Sequence, residues 1–249
     1  MNAEIANIVE IFFKINKIVN PTYIINIETA TEICSIGLSK NGKTIALREQ
    51  SQPNIHSQMV LPAIDELLQE ANIDKKDLNA VAVSEGPGSY TGLRIGTSTA
   101  KGLCYALEIP LIAISTLKII AYGTLVKQNK QVFYCPMIDA RRMEVYLAIF
   151  DNQLNMLQEV HNEIIDDDSF ASILNEKTIV FCGNAVEKVK PILGKYPNAI
   201  FENIQCSADY MSFLSWQQFN NQQFVDLAYF EPFYLKAFQS AVSKVKGLK

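Results

Sequence analysis

The chain has 249 residues, of which 49% are hydrophobic and 19% charged, with 22 Lys and Arg against 26 Asp and Glu for a net charge of −4. That balance fits one large or two small globular domains. It argues against a protein that grips nucleic acid by itself, because phosphate binding needs a concentrated basic face. No apolar run approaches the ~20 residues that span a bilayer, and Cys34, Cys104, Cys135, Cys182 and Cys206 form no Cys-x-x-Cys pair, so they read as buried free thiols of a reducing, cytoplasmic compartment.

Residues 1–21 stand apart. Ile5, Ile8, Val9, Phe12, Ile15 and Val19 follow helical spacing with Lys14 and Lys17 between them, and Asn20-Pro21 ends the pattern. Early Glu4 and Glu10 do not suit a secretory signal, so the segment reads as an amphipathic extension or as an appendage without function. A first domain over residues 22–115 then opens with three strands at 23–28, 33–39 and 44–48, the last two joined by the hairpin dipeptide Asn41-Gly42. Met59, Val60, Ala63, Ile64, Leu67, Leu68 and Ala71 make one apolar face at a period of 3.6, which predicts a helix capped by Ser57, with Pro62 just past its first turn. A strand at 81–84, a glycine-rich junction, a helix ending near Leu107 and a strand at 111–114 complete the unit.

The order then repeats over residues 116–206. Strands are predicted at 131–138, 143–150 and 154–160, a helix at 166–174 begun by Asp166, Asp167 and Asp168, a strand at 178–181, a helix at 185–193 and a strand at 199–201. Residues 207–249 supply a further helix near 210–219 and a tail, expected to pack back on the first domain. Two β-β-β-α-β-α-β units make the fold class α/β, as a duplication of ribonuclease H-like halves, each a mixed five-stranded sheet with helices, of the actin/hexokinase/Hsp70 type, with a cleft between them.

The junction carries five of the eleven glycines, at 86, 88, 92, 96 and 102. A strand-to-helix turn rich in glycine either offers backbone N–H groups to an anion or lets another chain segment approach closely. The spacing fits neither a P-loop nor the dinucleotide fingerprint, and Lys101 lies too deep in the helix for a phosphate cradle. Within the helix, Gly92, Gly96, Ala100 and Cys104 form one small-residue stripe and Ser98, Gly102 and Ala106 a second. Each mid-helix Gly costs about 1 kcal/mol against Ala, so both stripes call for a close neighbour, inside the chain or in a partner.

Other chemistry is thin. In the actin-like group the turn after the first strand holds metal-phosphate; here Glu28, Thr29 and Thr31 keep an acid and hydroxyls, but Ala30 stands where a glycine is expected. With Gly86, Gly88 and Arg94 they form a candidate vestigial nucleotide or anion site, against a plain hairpin turn. His56 and His161 are far apart and the cysteines do not cluster, so no metal site or Ser/His or Cys/His nucleophile pair is called. Asp139, Arg141 and Arg142 form a charged hairpin, either an anion or partner contact or a solvated turn with an Asp–Arg pair worth little at a surface.

Four segments resemble the bacterial TsaB (YeaZ) family: Ile27-Glu-Thr-Ala-Thr-Glu-Ile-Cys-Ser, His56-Ser-x-x-x-Leu-Pro-x-Ile-Asp, Gly86-Pro-Gly-Ser-Tyr-Thr-Gly-Leu-Arg-Ile-Gly with Ala100-Lys-Gly, and Asp139-Ala-Arg-Arg-x-Glu-Val-Tyr. The likeness is strong over residues 22–150, and Glu231-Pro-Phe-Tyr-Leu-Lys resembles the family's closing segment. It implies a non-catalytic scaffold or activating subunit of the complex that transfers a threonylcarbamoyl group to adenosine 37 of ANN-decoding tRNAs. It also implies no firmly bound cofactor in this chain, with ATP or ADP and a metal ion in the partner subunits. The implied partners are a TsaD-like catalytic subunit, a TsaE-like ATPase and, through the complex, tRNA; a homodimer is the alternative pairing, and no membrane is involved. The metal-holding His-x-x-x-His pair of TsaD corresponds to Ser115-Thr-Leu-Lys-Ile-Ile-Ala, which has no histidine. The family's helix pairing with TsaD assigns Met59, Ile64, Leu67, Leu68, Leu93, Gly96, Thr97, Ala100 and Cys104 to a partner interface. The competing reading is an independent ATP-binding kinase-like enzyme or a peptidase of the same fold.

Overall fold

The computed structural model describes residues 21–52, 55–128 and 131–236; the amphipathic pattern predicted before Pro21 lies outside them. Strands β1 (Tyr23–Glu28), β2 (Cys34–Lys40) and β3 (Lys43–Gln50) form an antiparallel meander, helix α1 (His56–Ala71) follows, and β4 (Leu78–Gly86), helix α2 (Tyr90–Leu107) and β5 (Leu111–Ser115) add two parallel strands. Helix α3 (Thr116–Gln128) leads to the second half: β6 (Phe133–Asp139), β7 (Glu144–Phe150), β8 (Met156–Ile164), α4 (Ala171–Leu174), β9 (Ile179–Cys182), α5 (Val186–Leu193), β10 (Ala199–Glu202) and the last helix, α6 (Ala208–Asn220). The sheets run β3-β2-β1-β4-β5 and β10-β9-β6-β7-β8. Read from its meander edge, the second repeats the first strand for strand, so the predicted duplication is present.

Period-two patterning explains how each strand serves two layers. Along β1, Ile25 and Ile27 join the cluster under α1 and α2, while Ile24 points into a second cluster between the sheets; β4 splits Val81 and Val83 from Ala80 and Ala82 in the same way. In β6, Cys135 and Met137 face α5, and Tyr134 and Ile138 face inward. The space between the sheets is filled by α3 and α6. Helix α6 lies on β1, β2, β3 and β5, and α3 lies mainly on β6. Gly123 lets them touch, since a Cβ there would stand 2.6 Å from the Tyr210 ring.

Several expectations change here. Ser57 does not cap α1: the helix begins at His56, and Ile55 precedes it without a side-chain cap bond. Asp166–Asp168 do not start a helix. Asp166 accepts from Ser169 N–H and Oγ at 3.0 Å each in a tight turn, and α4 is only the four residues that follow Phe170, itself at φ 62°. Short acidic side chains close such turns as readily as they cap helices. Helix α3 was not predicted at all, because its residues are apolar nearly all round and give no 3.6-residue contrast; Leu117, Ile119, Ile120, Ala121 and Thr124 are all buried. The Asn41-Gly42 hairpin is as predicted, with φ of 51° and 79°. Gly42 also meets the Trp216 ring of α6 at 3.1 Å from an ideal Cβ. Gly42→Ala is expected to cost about 1–2 kcal/mol in urea denaturation, from the left-handed backbone and the ring contact together.

Candidate functional site

Helix α2 is set by what its glycines touch. Ser89 caps its start, accepting from Gly92 N–H at 3.3 Å. The β1–β2 turn then lies directly on the glycine junction: Ser89 N–H donates to the Ala30 carbonyl at 2.7 Å, and the Thr29 hydroxyl donates to the Gly92 carbonyl at 2.8 Å. An added Cβ would fall 2.3 Å from Ala30 O at Gly88, 2.0 Å from Thr29 O at Gly92 and 2.3 Å from Thr29 Oγ1 at Gly96. The glycines thus admit the neighbouring backbone of the β1–β2 turn, which a side chain at any of them would push away.

The two stripes separate cleanly. Gly92, Gly96, Ala100 and Cys104 are all buried on the chain's own sheet. Ser98, Gly102 and Ala106 face out, and a Cβ at Gly102 would meet nothing within 4 Å. The same division holds for the residues assigned to a partner interface. Met59, Ile64, Leu67 and Leu68 of α1 and Leu93, Thr97, Ala100 and Cys104 of α2 are buried in the chain's own core. Burial of each large apolar side chain there stabilises the fold by ~1.5–3 kcal/mol. The outward faces of these helices carry different residues, among them Leu61, 56% exposed, and Tyr105, 81% exposed.

Beside the start of α2 a cleft of about 980 Å³ opens between the halves, lined by Thr31, His56, Gly88, Arg141, Tyr146 and Tyr234 among others. The His56 ring lies 3.1 Å from the Thr31 carbonyl, and Asn184 Nδ2 donates to Glu32 across the cleft at 2.8 Å. The candidate anion residues do not converge on it. Thr31 and Gly88 line it, but Gly86, at φ 114°, accommodates the Phe233 carbonyl, and Arg94 stacks on the Tyr90 ring at 4.3 Å. Glu28 is fully buried, with Oε1 accepting from Ala30 N–H at 2.7 Å, and burial pushes its carboxyl up to about 7. In the charged hairpin, Arg141 and Arg142 both take left-handed backbone, at φ 74° and 52°. The ion partner of Asp139 is Lys188 at 2.5 Å rather than an arginine, and Arg141 contributes its backbone N–H to Asp139 at 2.7 Å. Arg141 lines the cleft and Arg142 faces solvent. Among the described residues no three His, Cys, Asp or Glu gather as a metal site, and no helix is long and apolar enough to cross a membrane. All five cysteines are free and buried.

Sequence reading placed a tail after α6 against the first domain but named none of the contacts it makes. Tyr234 packs on Tyr90 with ring centroids 4.7 Å apart, Lys236 pairs with Glu144 across the cleft, and Lys101 bonds the carbonyls of Ala228 and Phe230 at 3.0 and 3.1 Å. Its one signal was the Glu231-Pro-Phe-Tyr-Leu-Lys motif.

The matching sheet orders, the helix pairs on their outer faces and the cleft define a duplicated actin-like α/β protein. The same architecture is found in YeaZ from Pseudomonas aeruginosa, which superposes with a TM-score of 0.70 at 24% identity over 86% of this chain and all of that one. The family model of TsaD, tRNA N6-adenosine threonylcarbamoyltransferase, matches residues 49–231. The tRNA threonylcarbamoyladenosine biosynthesis protein TsaB of Escherichia coli K12 is 32% identical over 221 residues, covering 86% of this chain and 94% of that protein. The chain belongs to the TsaB family. It is also 26% identical to the transferase of Phocaeicola vulgatus over 194 residues, which is 70% of this chain and 52% of the transferase. The stretch from Ser115 to Ala121 ends β5 and begins α3 and contains no histidine.

Proposed function

We propose that this chain is a non-catalytic subunit that docks a TsaD-type threonylcarbamoyltransferase through the outer face of α2 and the adjoining flank of α1. The observation that carries the reading is Gly102. A glycine in the middle of an 18-residue helix costs about 1 kcal/mol against Ala, and nothing within the described chain occupies the space it leaves. With Ser98 and Ala106 on the same line, it clears a path for a second helix to approach closely. Relatives named for tRNA threonylcarbamoyladenosine biosynthesis support this partnership, which would act in the cytoplasm. A TsaE-type ATPase would join the pair, and tRNA would be met through the assembled complex. Against an independent nucleotide enzyme stands the glycine junction, whose approach side is taken by the carbonyls of Thr29 and Ala30.

Gly102→Leu tests this. It is expected to lower affinity for the TsaD-type subunit of the same organism at least tenfold in isothermal titration calorimetry, with an unchanged circular dichroism spectrum. Gly96→Leu is not an equivalent test, because Thr29 fills that site and the fold itself would suffer. Full affinity in the Gly102 variant, or robust ATP turnover by the purified chain alone, would count against the proposal.

A further inference from the structure

Resting on that docking reading, we infer that the segment returning after α6 forms the second wall of the partner surface and that Tyr229 is its anchor. The segment runs the length of α2 in the opposite direction. Val225 N–H donates to Leu111 O at 3.0 Å beyond the end of the helix, Lys101 holds Ala228 and Phe230 beside its middle, and Tyr234 reaches Tyr90 at its first turn. Phe233 N–H closes the path on Glu85 O at 2.7 Å. The small-residue line of Ser98, Gly102 and Ala106 is therefore the floor of a groove. On its other side is α1, where Leu61 stands half a turn from Glu70 at 100° per residue. Glu70 is held by Arg48 of β3 at 2.5 Å, so Leu61 projects from the flank toward α2.

Tyr229 sits on this wall in an unusual state. Its turn is pinned: Asp226 Oδ1 accepts from Ala228 N–H at 2.8 Å and Tyr229 N–H at 3.0 Å, Phe230 N–H donates to Asp226 O at 2.9 Å, and Lys101 binds the carbonyls on either side. Leu227 and Phe230 pack on the core beneath α1 and α2, while Tyr229 between them is 85% exposed. Tyr105, one helical turn beyond Lys101 on α2, is 81% exposed. A rigid backbone presenting a large amphipathic ring pays little ordering entropy on binding, and such rings over a desolvated floor concentrate binding energy. The occupant that fits is an amphipathic helix of the TsaD-type subunit, lying along Gly102 with its apolar edge against Tyr229 and Tyr105. Lys101 is a positioning residue, acting through the turn it holds.

The test measures affinity of the full chain for the TsaD-type subunit of the same organism by isothermal titration calorimetry. Tyr229→Ala is expected to weaken binding at least tenfold with the urea midpoint unchanged. Lys101→Met should weaken it less and Lys101→Arg should restore it, whereas Leu157→Ala on the exposed β8 edge should bind as wild type. Loss of binding in Gly102→Leu with Tyr229→Ala within twofold of wild type would overturn the anchor while leaving the docking face in place. Wild-type affinity in both would overturn the docking reading and the anchor with it.

Discussion

Gly92→Ala is expected to destabilise the chain by more than about 3 kcal/mol or to prevent folding, whereas Gly102→Ala, ten residues on in the same helix, is expected to stabilise it by up to about 1 kcal/mol. The opposite signs come from the neighbours. A Cβ at Gly92 lands 2.0 Å from the Thr29 carbonyl, a backbone atom fixed by the Ala30–Ser89 and Thr29–Gly92 hydrogen bonds, so relief means parting α2 from the β1–β2 turn. A Cβ at Gly102 meets open space, and the gain is the lower backbone entropy of the unfolded chain. Gly96→Ala belongs with Gly92, since its Cβ would press on Thr29 Oγ1 at 2.3 Å, and that hydroxyl is already committed to Gly92 O. Urea unfolding of the three variants measures all of this directly. A destabilised Gly102→Ala, or a neutral Gly92→Ala, would show the glycines to be serving another purpose.

Glu28 sets the second large effect. Its carboxyl moves from an ordinary 4.5 to about 7, chiefly because burial disfavours the charge; hydrogen bonds from Ser84, Ala30, Cys206 and Thr31 oppose the shift. A carboxylic acid raised in the folded state favours folding when protonated. Its contribution is therefore complete below the unfolded value and is lost as pH rises through the folded one. At 1.36 kcal/mol per pH unit the shift amounts to roughly 3 kcal/mol, removed between about pH 4 and pH 8, with most of the slope between the unfolded value of 4.5 and the folded value of about 7. Glu28→Gln keeps an acceptor for Ala30 N–H and carries no charge. It should lack this slope, so that the variant gains on wild type by on the order of 3 kcal/mol between about pH 4 and pH 8 in paired urea titrations. Parallel curves for the two proteins would place the Glu28 pKa near its ordinary value. The same burial encloses the acid of the β1–β2 turn within the protein, and the Thr29 hydroxyl is spent on Gly92.

The parts of this protein that repeat locally were legible in its sequence. Alternation in β1, β4 and β6, the 3.6-residue face of α1 and the Asn41-Gly42 turn each depend on neighbours a few residues away, so the duplication and the element order apart from α3 followed from them. The capping assignments at Ser57 and Asp166 failed because a short polar side chain can close a turn or start a helix, and local sequence does not choose between the two. Helix α3 was invisible because both sheets bury it, which erases the polar face that periodicity detects. On α2 the sequence determined that there are two small-residue stripes, but both carry the same glycine signal. Tertiary structure alone decided that the line of Gly92 and Gly96 closes on Thr29 and that the line of Gly102 is left open, because only the placement of α2 on β4 and β1 fixes which side of a helix meets its own sheet. The wall beside that open line is also a tertiary matter, since it joins Lys101 to carbonyls more than a hundred residues away.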